Sequence, residues 1–356
     1  MSHHLTYAEA VVTGLVQGVT ELFPVSSLGH NVLLPALIGG SWAKTMDVTS
    51  DNSPYLAFVV GLHVATALAM IAYFWRDWLR IITGYFSSVR RREITTADQR
   101  LAWMIILATI PVGIVGAGLQ KVFTHVFAKP ALTAVFLAVN GLILLYGERR
   151  RRAKDAARAV SAASAVPAAV GGPGWDARDP WDAQPPGPSR DPLAAQPASR
   201  AATRRQAAPR ERHPRAAEID RAVACDRRLS TMGYGRAVGV GTAQILALLP
   251  GISRDGIVTV AGMSRGLSRA DAVRYSFLLS APVILAAGAL KAHDLFGPLG
   301  KGIHGPVLAG SVLSFIGAYL SVRFLTRYFS EERSLNPFGI YCLIAGLGSL
   351  AYLLLR

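Results

Sequence analysis

The sequence predicts an all-α integral membrane protein, with six transmembrane helices plus two re-entrant helix pairs in an inverted-topology repeat, and three observations predict it. Hydrophobic residues make up 51% of the 356-residue chain, and its mean hydropathy is positive at +0.34. Six stretches lack Asp, Glu, Lys and Arg: 52–75, 101–120, 130–147, 275–290, 302–322 and 334–355. A helix crosses the hydrocarbon core with about 20 apolar residues, about 17 being a practical minimum. Most of the stretches meet that length, and the one at 275 reaches it by extending past Lys291, whose side chain can snorkel to the interface. Third, Arg and Lys concentrate on alternate connections, the pattern that orients a membrane chain.

The connections read in order as follows. Residues 76–100 carry Arg76, Arg80, Arg90, Arg91, Arg92 and Arg100, whereas 121–129 carry only Lys121 and Lys129. The basic tract 149–236 follows, then Arg265, Arg269 and Arg274, then Lys291 and Lys301, and finally Arg323, Arg327 and Arg333. The pattern is in, out, in, in, out, in. Two consecutive inside connections flank 237–263, so that segment enters and leaves from the cytoplasmic side. By the same reasoning the opening segment 8–45 begins and ends outside, and its polar residues disfavour a simple crossing, because polar, non-helical backbone at membrane depth needs protein or water around it. The expected division is a first membrane repeat at 1–148, a basic Pro/Ala/Arg-rich disordered cytoplasmic insert at 149–236, and a second membrane repeat at 237–356. A faint internal echo agrees: Gly14-x-x-Gln17 with Gly241-x-x-Gln244, and Pro24-Val-Ser-Ser27 with Pro250-Gly-Ile-Ser253. Inverted repeats of this kind bring broken helices together near the midplane and build a site there.

The net charge of +15 invites a nucleic-acid reading until it is located. Residues 149–236 hold 18 Arg or Lys against 9 Asp or Glu, and 10 of the 20 prolines, with few large apolar residues. Such a segment reads as a solvated basic linker near anionic lipid, with no nucleic-acid partner expected. The start of the chain lacks the pattern of a cleavable secretory signal. Cys225 and Cys342, the only cysteines, suggest neither a metal site nor a disulfide.

Within the second re-entrant segment, Pro250 and Gly251 stop a helix, Ser253 and Arg254 follow, and another apolar run begins near Gly256. Free backbone N–H groups, a positive helix end and a guanidinium fork then converge, which suits a phosphate. The alternatives are that Arg254 snorkels to the interface or pairs with Asp255; the anion site is preferred because the Arg follows a long uncharged run. In the first segment Gln17 and Glu21 lie four apart on one helical face, Pro24 ends the helix, and Ser26, Ser27 and His30 follow. These residues supply a base, a nucleophile and a proton shuttle where polar groups are costly. The plainer alternative makes Glu21 and Ser27 helix caps and His30 an interface residue. His63, another polar residue in an apolar helix, either borders the cavity or packs through a hydrogen bond, and is left outside the catalytic set.

These residues resemble the undecaprenyl-pyrophosphate phosphatases, the bacitracin-resistance family. The first family motif is matched by Gln17, Glu21, Pro24, Val25, Ser26, Ser27, Gly29 and His30, and the second by Pro250, Gly251, Ser253, Arg254 and Thr259 with one residue of offset before the threonine. A later signature is similar to Leu267–Arg269 and 276–282. The resemblance implies removal of the terminal phosphate from a C55 polyprenyl diphosphate in the bacterial plasma membrane, at a site open to the extracytoplasmic side. It further implies Glu21 and His30 as acid and base, Ser27 as nucleophile, and Arg254 with Ser253 on the diphosphate. Gln17, Ser26, Gly251 and Thr259 complete the expected substrate contacts. A magnesium or calcium ion is the implied cofactor, with Glu21 and Asp255 as its candidate ligands. The partners implied are the polyprenyl lipid, the surrounding membrane lipid and a second copy in a homodimer. Gln17 stands where many members carry Glu, Asp255 where the family usually has Ser, and the insert lies outside the pattern. The rival readings are a transporter or flippase for a lipid phosphate or anion, which needs Arg254 but no nucleophile, and a scaffold presenting the basic loop.

Overall fold

The computed structural model describes residues 5–46, 54–122, 127, 129–164, 214–296 and 302–356. Every regular element among them is helical. In order these are α1 (Tyr7–Leu22), α2 (Ser27–Ile38), α3 (Gly40–Thr45), α4 (Pro54–Tyr73), α5 (Trp75–Arg91), α6 (Ala97–Val122) and α7 (Pro130–Ser164). Then come α8 (Pro214–Ser230), α9 (Tyr234–Thr242), a 3-10 turn at Ala243–Leu248, α10 (Arg254–Ser264), α11 (Arg269–Phe296), α12 (His304–Ser330) and α13 (Asn336–Leu355). Contacts gather residues 1–153 and 222–356 into one compact unit, and 154–221, the end of α7 and the start of α8, into another.

Five helices, in α6, α7, α11, α12 and α13, are long and apolar enough to cross a membrane. The sixth crossing expected at 52–75 is α4, which meets the same test together with α5 across a bend of 87°. Beyond the bend, Trp75, Leu79, Ile82, Phe86 and Val89 stand exposed three and four residues apart on α5, with Arg90 and Arg91 in its last turn. An apolar stripe on a basic helix set square to its neighbour suits the membrane surface.

Both expected re-entrant segments are broken helices. Thr6 and Glu9 form a reciprocal capping box that starts α1, and the chain breaks at Pro24 before Ser26 caps α2. The second segment passes from α9 through the 3-10 turn to a break at Pro250 and Gly251, and Ser253 caps α10. Small residues let these elements approach their neighbours. A Cβ on Gly14 would lie 2.3 Å from the Gly310 carbonyl oxygen of α12, and one on Gly241 would lie 2.4 Å from the Ala108 carbonyl oxygen of α6. The echoed glycines therefore do the same job, close backbone contact between helices.

The insert departs from expectation at both ends. Residues 149–164 continue α7, and 214–230 form α8; the rest of the insert, 165–213, lies outside the described residues. Ala, Arg and Lys are strong helix formers, and that propensity outweighs the low hydrophobicity on which the disordered reading rested. Cys225, Leu229 and Met232 pack with Leu101, Met104 and Tyr275 in one apolar cluster. Asp226 on α8 is buried and receives Arg274 Nε at 2.7 Å and Arg80 NH2 at 2.7 Å. Arg228 grips Asp271 through Nε at 3.0 Å and NH2 at 2.6 Å. The Cys225 thiol donates to Asp271 at 2.7 Å, and burial together with that carboxylate pushes it up, so it stays a protonated core group.

Candidate active site

The two breaks meet. Ser26 adopts φ 68°, a backbone region that non-glycine residues enter at a cost of about 1–3 kcal/mol. That turn aims its hydroxyl oxygen at two backbone amides, Gly29 N–H of its own helix and Gly251 N–H of the other segment, both at 3.2 Å. Gly251 holds φ 111°, and a Cβ there would lie 2.5 Å from the Thr133 carbonyl oxygen, so neither conformation nor space admits a side chain. Asn140 on α7 locks the joint from behind, donating to the Pro24 carbonyl at 3.0 Å and accepting from Ser253 N–H at 3.0 Å.

Glu21, on the last turn of α1, is the centre of the polar cluster, with its side chain 4% exposed. Its Oε2 accepts from Gln17 Nε2 at 2.7 Å and from the Ser27 hydroxyl at 2.5 Å, while Oε1 receives Arg254 NH2 from the other segment. His63 Nε2, from α4, stands 3.3 Å from the same Oε2. Gln17 is itself fixed, because its Oε1 accepts from Asn31 Nδ2 at 2.6 Å. A carboxylate this buried is tolerable only with such partners. Arg254 leads α10, where backbone N–H groups and the positive helix end add to its charge, and its buried Nε–H has no hydrogen-bond partner among the described residues. An unpaired, preorganised donor beside a hydroxyl already bonded to a carboxylate is suited to binding an oxyanion and attacking it.

Gln17, Glu21, Ser27 and Arg254 thus come together as expected, joined by Ser26, Gly251 and Ser253 in the walls. His30 does not join them. Its Nδ1 lies 2.7 Å from the Ser26 carbonyl oxygen and its Nε2 2.7 Å from the Tyr341 hydroxyl, with the two rings stacked at 5.8 Å. The sequence reading named His63 but left it outside the catalytic set, and did not single out Asn31 behind Gln17, Asn140 or Tyr341. The available signal was a polar side chain inside an otherwise apolar span, which marks function more often than packing.

Thr259 and Asp255 face inward. They line a cavity of about 10 Å³, on the order of one water molecule, with Leu22, Pro24, Val273, Phe277, Phe329 and Leu335. Asp255 Oδ1 accepts from Ser276 at 2.5 Å and Ser280 at 2.7 Å, both on α11, and its Oδ2 is buried without a partner. Of the two candidate metal ligands, Asp255 has one oxygen engaged from α11 and Glu21 has both oxygens engaged within the cluster. Among the described residues no three His, Cys, Asp or Glu side chains converge as a metal cage would require.

A family model described as bacitracin resistance protein BacA matches residues 10–171 and 212–348. The chain belongs to this family. The match includes every residue of the cluster and omits only the middle of the insert and the chain ends, a narrower gap than the expected 149–236. BacA-family relatives similar over their full length include an undecaprenyl-diphosphatase of Mycolicibacterium paratuberculosis, 50% identical over 100% of both chains. One from Mycobacterium avium is 49% identical over 100% of both chains. Another, undecaprenyl-diphosphatase 2 of Frankia alni, is 49% identical over 97% of each. The similarity to these relatives therefore extends over both helix breaks and the helices around them.

Proposed function

We propose that the chain is an undecaprenyl-diphosphatase: it hydrolyses undecaprenyl diphosphate to undecaprenyl phosphate and inorganic phosphate. The reaction recycles the lipid carrier of cell-wall synthesis and so confers bacitracin resistance. The observation that carries this reading is the hydrogen bond from Ser27 to Glu21 beside the half-free guanidinium of Arg254. Relatives that share the whole chain at about half identity bear the same enzymatic name.

Arg254 and the N-terminal amides of α10 hold the diphosphate and neutralise charge as it develops on the transferring group. Glu21 Oε2 takes the Ser27 proton as Oγ bonds to the terminal phosphorus, the bridging P–O bond breaks, and undecaprenyl phosphate leaves. Water then attacks the phosphoserine and inorganic phosphate departs. Asn140 and Ser26 keep the two breaks in register during both steps. A magnesium or calcium ion arriving with the substrate would be held by Glu21 together with phosphate oxygens and water, and would supply charge neutralisation, because magnesium commonly takes one or two carboxylates plus substrate phosphates and water. The same proposal places the site on the extracytoplasmic side of the plasma membrane, the two halves in inverted orientation, and the protein as a homodimer, whose mass native mass spectrometry reads.

Purified protein in detergent, given a polyprenyl diphosphate, is expected to release inorganic phosphate. No release with any divalent ion would favour transport of a lipid phosphate instead. Trapping a phosphorylated Ser27 supports the serine route; full turnover by Ser27→Ala would make water the nucleophile.

A further inference from the structure

We propose that α5 is a docking surface for anionic phospholipid, with its apolar stripe among the acyl chains and its unpaired arginines on the headgroup phosphates; the proposal stands independently of the phosphatase reading above. The inner side of α5 is firmly held. Ile81, Gly84 and Ser88 face inward, Trp103 of α6 donates its Nε1–H to Ser88 Oγ at 3.0 Å, and Gln99 donates to Ser87 Oγ at 2.9 Å. A Cβ on Gly84 would lie 3.1 Å from the Asp98 backbone, so α5 lies tight across the start of α6. Arg80 pins it further, to Asp98 at 3.1 Å and to Asp226 of α8 at 2.7 Å. With α4 as the crossing, the 87° bend between the two helices sets α5 along the membrane plane rather than through it.

The outer side sorts its residues by position. Each residue turns a helix by about 100°, so residues seven apart fall nearly one above another. Trp75, Leu79, Ile82, Phe86 and Val89 form the outward stripe, and Phe86 is 64% exposed. Arg76, Thr83 and Arg90, seven apart, run along one border of it, and Trp78 and Tyr85, also seven apart and half-buried, run along the other. Arg91 and Arg92 close the C-terminal end. An apolar stripe with a basic edge and a Trp/Tyr edge matches the layers of a leaflet, acyl chains below and headgroups beside.

The arginines divide in the same way. Arg80 is neutralised within the protein, by Asp77, Asp98 and Asp226. Arg76, Arg90, Arg91 and Arg92 are exposed, and no carboxylate among the described residues pairs with them. The Arg76 guanidinium instead lies over the Trp75 ring, 5.1 Å from its centroid, which keeps the charge at the border of the stripe. Four guanidiniums thus gather around the stripe with one exposed carboxylate, Glu93, beside them. The alternation of Arg and Lys places this connection on the cytoplasmic face, where anionic headgroups attract each such side chain and phosphate offers a guanidinium a bidentate acceptor. A second copy is a poor occupant of the same face. A twofold axis through it would bring its arginines toward their own copies, like charge to like charge.

The test places the full chain in phosphatidylcholine vesicles containing a minority of phosphatidylglycerol, with one lipid or the other carrying brominated acyl chains that quench tryptophan. The part of the quenching that disappears in Trp75→Phe reads which lipid lies against α5. Wild type is expected to enrich phosphatidylglycerol over phosphatidylcholine there by about tenfold or more, since each arginine beside an anionic headgroup contributes about fivefold. Arg76→Gln and Arg90→Gln are each expected to lower that preference about fivefold, and the combined variant Arg76→Gln/Arg90→Gln/Arg91→Gln/Arg92→Gln to abolish it. The thermal midpoint of each variant in detergent confirms that it is folded. Salt tests the same attraction with no substitution at all: raising it is expected to shrink the preference of wild type by screening. Three results would overturn the proposal: an undiminished preference in the folded combined variant or at high salt, no quenching of Trp75 by either brominated lipid, or cross-linking of two copies through Phe86→Cys, which would make the stripe a subunit interface.

Discussion

The two helix breaks use similar residues for different ends. Each has a proline, a serine cap and a following helix, and each leans on a glycine that lets a neighbouring backbone close in. At the first break the unusual backbone belongs to Ser26 and the side chains are Glu21, Ser27 and, behind them, Gln17 and Asn31 linked in a chain of hydrogen bonds. At the second the unusual backbone belongs to Gly251 and the side chains are electrostatic, Arg254 at the head of a helix. The echoed glutamines make the contrast plain. Gln17 is bonded at both ends, whereas Gln244 is buried with neither its oxygen nor its nitrogen partnered. Under the proposed function, one break is the proton-handling half of the site and the other its anion-holding half, and each is incomplete without its counterpart.

The strongest way to break the comparison is to remove one half. Arg254→Ala and Glu21→Gln should each lower kcat about a thousandfold, within the range for losing a charge-stabilising donor or a general base. If both keep substantial turnover in the phosphate-release assay, the division of labour is wrong. Next in size, Gly251→Ala should cost about 3 kcal/mol or more, from a positive φ and contacts below 3.0 Å combined. Thermal unfolding in detergent reads that loss, and activity should fall with it. A third pair sharpens the contrast between the echoes. Gln17→Leu takes one hydrogen-bond partner from Glu21 and one from Asn31 and should cost about 1–3 kcal/mol along with activity, whereas Gln244→Leu should be neutral or stabilising because no bond is lost. Equal effects from the two would erase the asymmetry. The smallest change is expected of Asp255→Ser. It removes the unpartnered Oδ2 but also the Oδ1 that accepts from Ser276 and Ser280, so the two effects oppose each other, and stability should stay within about 1 kcal/mol and phosphate release within about threefold of wild type.

Much of this was legible because membranes punish exceptions. Glu21, Arg254 and the prolines beside them stood out against apolar surroundings, and the alternation of Arg and Lys implied that their segments meet. What escaped was supplied by helices far away in sequence. Asn140 and His63 sit singly in α7 and α4, where one polar residue looks the same whether it packs or reacts, and only the approach of Pro24, Ser253 and Glu21 tells which. His30 shows what spacing leaves open: three residues from Ser27 it lies on the same side of the helix, yet its ring nitrogens meet the Ser26 carbonyl and the Tyr341 hydroxyl. The insert was misjudged by weighing its low hydrophobicity above the helix propensity of its Ala- and Arg-rich ends, and by missing the apolar side chains of α8 among so many charges.

The grip of Arg80 and Arg274 on Asp226, with Arg228 on Asp271, anchors the returning chain before α9 begins. Because these contacts hold α8 itself, changing the sequence of 165–213 is expected to leave α9 and the second break in place and phosphate release largely unchanged. That stretch is free to diverge, or to be replaced by a fluorescent or affinity tag, at little cost to turnover.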